Sequence, residues 1–497
     1  MLITANHFYN YIQCPHRIWR DLYGPKEEKD PKTNPFVTLL WEKGALHEKN
    51  VVKRIGNFLD LSEGSHKTRF EKTILAMQNK VGLIYQGVLI YENCLGIPDM
   101  LRHNDDGTYT PIDIKSGRSF ENSENEKQEK YKKHYAIQLC HYTKLLKSLG
   151  FANNYTGIII DIHEKETMYD LTKQISARRR ISWTQLYHTT KNEVESLLKN
   201  DIQNKPAMSG VCKLCPWYKS CKKWAKENED LTNVFCLGRS KRDILNKDLG
   251  IEKTKDIINI DIEKVLKKKD INPYFLRGIA KTTLKKIVCR ADLLNKKGNP
   301  VLYKKIDFPK SEYELFFDIE DDPTQELVYL HGVYERSKGK ERFVPFIAKS
   351  SDPKAERKAW AEFWKYINSL PNNGYTVYYY APHEKTTYKK LRELYPDVIS
   401  EEELEKFFNK DTAIDLYTDV IYKYTDWPLS NYSLKDIAQY LCFKWRDESP
   451  SGALSIQWYN DYIKTKDTKI LNRILEYNED DCKATMVIKD YISNLSF

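Results

Sequence analysis

One short stretch constrains this 497-residue chain more than any other. Gly96-Ile97-Pro98-Asp99-Met100-Leu101-Arg102-His103 reads as a strand and Asn104-Asp105-Asp106-Gly107 as a tight turn. Thr108 to Lys115 reads as a second strand. Side chains alternate across a strand, so Asp113 and Lys115 share one face while Ile112 and Ile114 take the other. A hairpin at this turn brings Asp99 close to Asp113. Two carboxylates and a lysine on one surface suit a hard divalent cation, Mg²⁺ or Mn²⁺, held through oxygen. The lysine is placed to stabilise charge on a phosphorus centre.

Two more segments extend the pattern. Gly44-Ala45-Leu46-His47-Glu48 lies in a helical run, and His47 is a candidate metal ligand. Gln138 and Tyr142 stand four apart on a predicted helix and so share a face. The order His47, Gly96-x2-Asp99, Asp113-x-Lys115 and Gln138-x3-Tyr142 resembles the PD-(D/E)xK nucleases of the RecB family. That resemblance implies a restriction-endonuclease-like α/β domain, expected over 1–225. It also implies catalytic roles for Asp99, Asp113, Lys115, Gln138 and Tyr142, with His47, Asp99 and Asp113 on the metal.

The first residues lack a basic n-region and a long apolar run, and no stretch is apolar enough to span a bilayer. A cytoplasmic protein is therefore expected, where structural disulfides are rare. Its 10 cysteines then read as buried thiols or metal ligands. Cys212-x2-Cys215-x5-Cys221 has metal-ligand spacing, and Cys14 is a fourth candidate. Thiolates suit zinc or an iron–sulfur cluster, and spacing does not separate the two. One cysteine before the nuclease core and three after it resembles the iron–sulfur nucleases of the RecB type. The resemblance implies a [4Fe–4S] cluster on Cys14, Cys212, Cys215 and Cys221.

A second acidic pattern follows. Tyr313 to Glu320 reads as a strand with Asp318 and Glu320 on one face, Phe317 and Ile319 on the other. Tyr378 to Glu384 reads as a strand running into a helix start, which places Glu384. Tyr477 and Asp481 stand four apart where a helix is expected to begin. This D-x-E, acid-after-aromatic, Y-x3-D order resembles the DEDDy exonucleases of the ribonuclease-H-like fold. It implies that Asp318, Glu320, Glu384 and Asp481 hold two cations and that Tyr477 positions the attacking water. The middle acid departs from the family pattern, being Glu384 rather than Asp; Asp415 competes for the place, although it is expected to cap a helix.

The whole order resembles two-domain bacterial nucleases that join a RecB-type domain to a YprB-type ribonuclease-H-like domain. It implies a ribonuclease-H-like domain over 309–497 and a helical connector over 226–308. In the connector, Leu249-Gly250-Ile251 reads either as a helix-hairpin-helix turn or as a helix end. Lys267-Lys268-Lys269 reads as a solvated helix face, and Arg178-Arg179-Arg180 as phosphate contacts or another such face. A net charge of +10 with 34 tyrosines suits a nucleic-acid partner; the resemblance implies DNA rather than RNA, and no membrane partner is expected. The expectation is a metal-dependent DNA nuclease, an exonuclease on single strands serving repair, recombination or defence. The alternatives are a DNA-binding scaffold with a structural cluster and a silent C-terminal site, or an RNA-processing exonuclease.

Overall fold

The Asn104–Gly107 turn closes the expected hairpin, and strand Met100–His103 pairs antiparallel with Tyr109–Ile114, Met100 opposite Ile112. The computed structural model describes residues 2–31, 34–121, 130–176, 180–202, 204–371, 374–448 and 451–495. Arg178 and Arg179 lie outside them. The described chain divides into two compact units, Met1–Pro206 with Gly210–Cys221, and Ala207–Ser209 with Lys222–Phe497.

In the first unit the hairpin is central to a six-stranded mixed sheet. Its strands run in the order Glu166–Asp170, Thr156–Ile160, Tyr109–Ile114, Met100–His103, Leu83–Tyr85, Leu59–Asp60. Helix Lys133–Ser148 packs on the face that carries Leu101, Tyr109 and Ile159. Helix Pro35–Ile55 sets Val51 against Met100, Ile112, Ile114, Ile158 and Ile160. Apolar side chains therefore cover both faces, and the polar alternation survives only at the strand ends.

The stretch Gly96–His103 is not one strand. Cys94–Gly96 pairs with Ile3–Thr4 and Leu89–Tyr91 in a separate three-stranded sheet. The chain changes sheets across Ile97-Pro98-Asp99, where Pro98 has no N–H for a ladder. Gly96 is needed for the close approach of helix Lys133–Ser148: a Cβ there would lie 2.7 Å from Leu145 Cδ1 and 2.9 Å from Tyr142 Cδ1.

The second unit holds a five-stranded sheet in the order Lys340–Ile347, Leu327–Ser337, Tyr313–Asp322, Tyr375–Tyr379, Ala413–Asp415. The first three strands are antiparallel and the last two join in parallel. Trp360, Phe363 and Trp364 of helix Pro353–Ser369 pack on Leu315, Phe317 and Ile319. Cys482, Ala484 and Ile488 of helix Thr468–Asn494 pack with Phe316 and Tyr378 on the opposite face. That helix corrects the expected start at Tyr477. It begins at Thr468, where Asp467 accepts from the Lys469 N–H at 2.8 Å, so Tyr477 and Asp481 lie mid-helix.

The helices expected as a connector are part of the second unit. Arg239–Leu249, Thr254–Ile258, Ile262–Ile271 and Lys281–Lys296 surround a core of their own that includes Leu245, Ile257, Leu276 and Leu284. Gly250, at φ 68°, ends the first of them. Arg290 joins this bundle to the rest of the unit: its Nε lies 2.6 Å from Asp426 Oδ1, with both side chains buried. Tyr303 donates to Asp426 Oδ2 at 2.6 Å. Among the described residues, no helix is long and apolar enough to cross a membrane.

Candidate nuclease and metal centres

The ladder ends with Met100 opposite Ile112, and Asp99 lies just beyond it, beside the strand end that carries Asp113. Asp99 Oδ2 accepts from the Ile114 N–H at 2.7 Å, which fixes its carboxylate at the strand end. Asp113 is 2% exposed on its side chain and pairs with Lys115 Nζ at 2.7 Å. Burial, and next the charge of Asp113, push the Asp99 carboxyl well above the ordinary range. Burial works against the charge on Lys115, but Asp113 and Asp99 outweigh it and raise its pKa. Lys115 Nζ lies 5.7 Å from the Tyr135 ring centroid, so the helix Lys133–Ser148 helps to confine it.

That helix also places Gln138 and Tyr142. Both are buried, and Gln138 Oε1 has no hydrogen-bond partner. Tyr142 is raised by burial and then by the charges of Asp113 and Asp99, so it faces the pair. His47 lies on helix Pro35–Ile55 with Nε2 buried and without a partner. Its neighbour Glu48 was not foreseen as a site residue. Gln86 Nε2 bridges Glu48 Oε1 at 3.2 Å and Asp99 Oδ1 at 3.3 Å, and Tyr85 donates to the same Glu48 oxygen at 2.9 Å. Only the helix approach reveals this third acid. Among the described residues, His47, Asp99 and Asp113 do not gather as three ligand atoms within 4.8 Å of one another.

The second acidic site does gather. Ligand atoms of Asp318, Glu320 and Asp481 all lie within 4.8 Å of one another. Asp318 and Glu320 come from one face of the central strand and Asp481 from the helix across it. Asn478 Nδ2 donates to Asp318 Oδ2 at 2.7 Å, and Trp445 Nε1 to Asp481 Oδ1 at 2.7 Å. Burial, and then the Asp481 charge, push the Glu320 carboxyl up to about 8. Asp318 and Asp481 are raised as well, in each case by burial first.

Glu384 stands at the start of helix His383–Leu394, 4% exposed, with Oε2 buried and unpartnered. Burial pushes it up to about 8, and its charge is felt at Asp318. It is not among the three acids within 4.8 Å. The competing Asp415 is a cap, with Oδ1 accepting from the N–H groups of Thr418 at 2.8 Å and Ala381 at 3.0 Å. Tyr477 is buried beside the acids, and Lys435 Nζ donates to its hydroxyl at 2.8 Å. Lys435 and Asn478 were missed as site residues, since neither follows a spacing that marks chemistry. Lys435 opposes the upward shifts of Asp318, Glu320 and Asp481, so it lies near these three acids.

Cys14, Cys212, Cys215 and Cys221 of the first unit are the third candidate centre. Cys14 ends helix Ala5–Gln13 and caps helix Pro15–Tyr23. Cys212 and Cys215 lie in or just after the short turn Gly210–Leu214, and Cys221 in helix Tyr218–Glu227. None of the four is in a disulfide. Burial pushes Cys221 up to about 11, and both Cys215 and Cys14 add to that rise. Cys215 is raised in the same way, with Cys14 and Cys212 contributing. Cys215 thus lies near each of the other three, although Cys14 is far from them in sequence. Trp217 Nε1 donates to Asp21 Oδ1 at 2.9 Å, Arg20 donates to Ser220 Oγ at 2.7 Å, and Arg20 lies 4.8 Å from the Trp217 ring. The other six cysteines are mixed: Cys94, Cys140 and Cys482 are buried, Cys289 partly so, and Cys236 and Cys442 exposed.

No curated protein and no solved structure matches the chain. Two family models do match it. Residues 16–222 match the PD-(D/E)XK nuclease superfamily and residues 315–493 the RNase_H superfamily. The chain carries a PD-(D/E)XK nuclease superfamily domain followed, beyond a helical middle, by a ribonuclease-H-like domain, a pairing that supports a metal-dependent nuclease.

Proposed function

We propose that this chain is a DNA exonuclease acting on single strands, with two independent hydrolytic sites and a [4Fe–4S] cluster in its first unit. The observation that carries the reading is the set Asp318, Glu320 and Asp481, buried or half-buried with ligand atoms within 4.8 Å. Like charges taken out of water at this spacing are costly unless a cation neutralises them. The raised carboxyls express that cost. The orphaned Oε2 of Glu384 adds a fourth acceptor beside them. Divalent cations, Mg²⁺ or Mn²⁺, would supply Lewis-acid polarisation of the scissile phosphate and of water.

The residues of the chain do the rest. Asp318, Glu320, Asp481 and Glu384 hold the positive charge and exclude other ligands. The Tyr477 hydroxyl, fixed by Lys435, orients the attacking water. In the first unit Asp99 and Asp113 would hold a cation; His47, with Nε2 buried and unpartnered, would be a third donor only after it moves, since the three do not gather within 4.8 Å of one another. Glu48, tied to Asp99 through Gln86, adds negative charge there. Lys115 sits against Asp113, placed to neutralise charge developing on the phosphate. Gln138, with its free Oε1, and Tyr142 position the strand. Cys14, Cys212, Cys215 and Cys221 would hold the cluster: Cys215 feels Cys14 and Cys212, Cys221 feels Cys215 and Cys14, and Arg17 and Arg20 beside them are cations that favour thiolate. The resemblance to RecB-type nucleases favours DNA and the [4Fe–4S] centre.

Two experiments test the reading. End-labelled single- and double-stranded DNA and RNA should be incubated with Mg²⁺ or Mn²⁺ and four proteins: the parent, Lys115→Ala, Asp318→Ala and the double variant. Each single variant should remove one component of cleavage and the double variant all of it. Cleavage by the double variant equal to the parent's would overturn the assignment of both sites, and cleavage of RNA alone would overturn the DNA substrate. Separately, protein purified without oxygen should be brown and carry about four irons. Cys212→Ala should lose them; a colourless zinc-loaded parent would exclude the cluster.

A further inference from the structure

The helices between Arg239 and Lys297 carry 17 lysines and arginines against eight aspartates and glutamates. This excess of nine accounts for nearly all of the chain's net +10. Neither nuclease site draws on it. Within the segment, helix Ile262–Ile271 buries Leu266 in the local core and partly buries Ile262 and Val265. Lys264, Lys267, Lys268 and Ile271 follow the i, i+3, i+4, i+7 spacing and lie on its outer side. Ile271 is 85% exposed and Tyr274, just beyond the helix, is 75% exposed. They are the two most exposed large hydrophobic side chains among the described residues, and they sit in its most basic stretch.

The turn that presents Tyr274 is held firmly. Lys269 Nζ donates to the carbonyls of Phe275 at 3.1 Å and Leu276 at 2.9 Å. Asp248 accepts from the Leu276 N–H at 2.7 Å, and Phe275 and Leu276 are buried in the local core. Arg277 lies 5.9 Å from the Tyr274 ring centroid, so a guanidinium accompanies the ring. A fixed aromatic flanked by lysines is the arrangement that binds single-stranded nucleic acid, with bases stacking on the ring and phosphates meeting the cations. One isoleucine and one tyrosine are too little apolar surface to seat a helix in a bilayer interface.

We infer that the outer stripe of helix Ile262–Ile271, continued by Tyr274 and Arg277, is a binding platform for single-stranded nucleic acid, Tyr274 stacking on a base and Lys264, Lys267 and Lys268 meeting phosphates. The inference rests on the proposed function only for the class of ligand. A full-length chain carrying Asp113→Ala and Asp318→Ala, which should bind without cutting, is titrated into fluorescein-labelled oligothymidylate and followed by anisotropy at several salt concentrations. Tyr274→Ala in that background should weaken binding about 5- to 150-fold with the salt slope unchanged, the range for one lost base stack. Tyr274→Phe should restore it, since phenylalanine keeps the ring. The triple variant Lys264→Gln, Lys267→Gln, Lys268→Gln should reduce the log–log salt slope by about 2, three contacts at about 0.7 each. Unchanged affinity in Tyr274→Ala, or an equal loss on blunt duplex DNA, overturns the platform, as does an effect confined to phosphatidylserine vesicles. If the platform fails while the parent still cleaves nucleic acid, the proposed function stands. If the parent neither binds nor cuts, both fall.

Discussion

Gly332 and Asn478 show how one residue can decide the geometry of an acidic site. Gly332 pairs with Asp318 across the two central strands, and a Cβ on it would lie 1.7 Å from Asn478 Oδ1. Asn478 is the donor that holds Asp318 Oδ2. Gly332→Ala should therefore displace Asn478 and release Asp318, costing about 1–3 kcal/mol as a buried overpacking. Urea unfolding should register the loss, and cleavage that survives Lys115→Ala should fall with it. Wild-type stability in Gly332→Ala would show that Asn478 can leave without consequence. Neither residue announces itself in the sequence, where the glycine is one of 20 and the asparagine a neighbour of better-marked acids. Asp318, Glu320, Tyr477 and Asp481 were legible because period-2 and i, i+4 spacing place them on one face whatever surrounds them. Glu48 and Lys435 were not, because their helices reach the sites through tertiary packing that no local spacing encodes.

At the scale of elements, the hairpin was legible because a turn and a strict alternation fix one register, whose open end lies beside Asp99 and Asp113. The break at Pro98 was misread for the same reason: alternation continues across it, while the ladder does not. The long helix Thr468–Asn494 was placed nine residues late, since Asn478, Asp480 and Asp481 look like residues of a helix start. Their burial against the sheet overrides that preference. The bundle of helices after Gly238 read as a connector because its core is small and local. Its junction with the rest of the unit rests on Arg290 and Asp426, distant in sequence and both buried. Arg290→Ala leaves the Asp426 charge buried with Tyr303 as its remaining partner. A loss of about 3 kcal/mol is expected, read by chemical unfolding. The further variant Asp426→Asn should recover part of it, because the charge is then gone. A loss that Asp426→Asn deepens would mean that the pair acts through packing and not through charge.

At the scale of the whole molecule, the acidic site makes stability depend on pH. Glu320 and Glu384 are pushed up to about 8 in the folded chain from an ordinary value of 4.5. Between those values the folded state binds more protons than the unfolded state. Their contribution is therefore fully present below about pH 4.5 and is lost as pH rises through about 8. In EDTA the parent should melt at progressively lower temperature across that window, relative to a Glu320→Gln, Glu384→Gln variant that cannot titrate there. Mn²⁺ should raise the melting temperature more at the alkaline end, where the carboxylates are already ionised. Parallel melting curves for the two proteins over this range would contradict the assignment. The same buried acids have a further consequence that needs neither substrate nor heat. A carboxyl that holds its proton near neutrality must surrender it to accept a cation, so loading the site is an acid-releasing reaction. A pH electrode in weakly buffered solution would register that release on adding Mn²⁺, and calorimetric heats of binding would change with the ionisation enthalpy of the buffer.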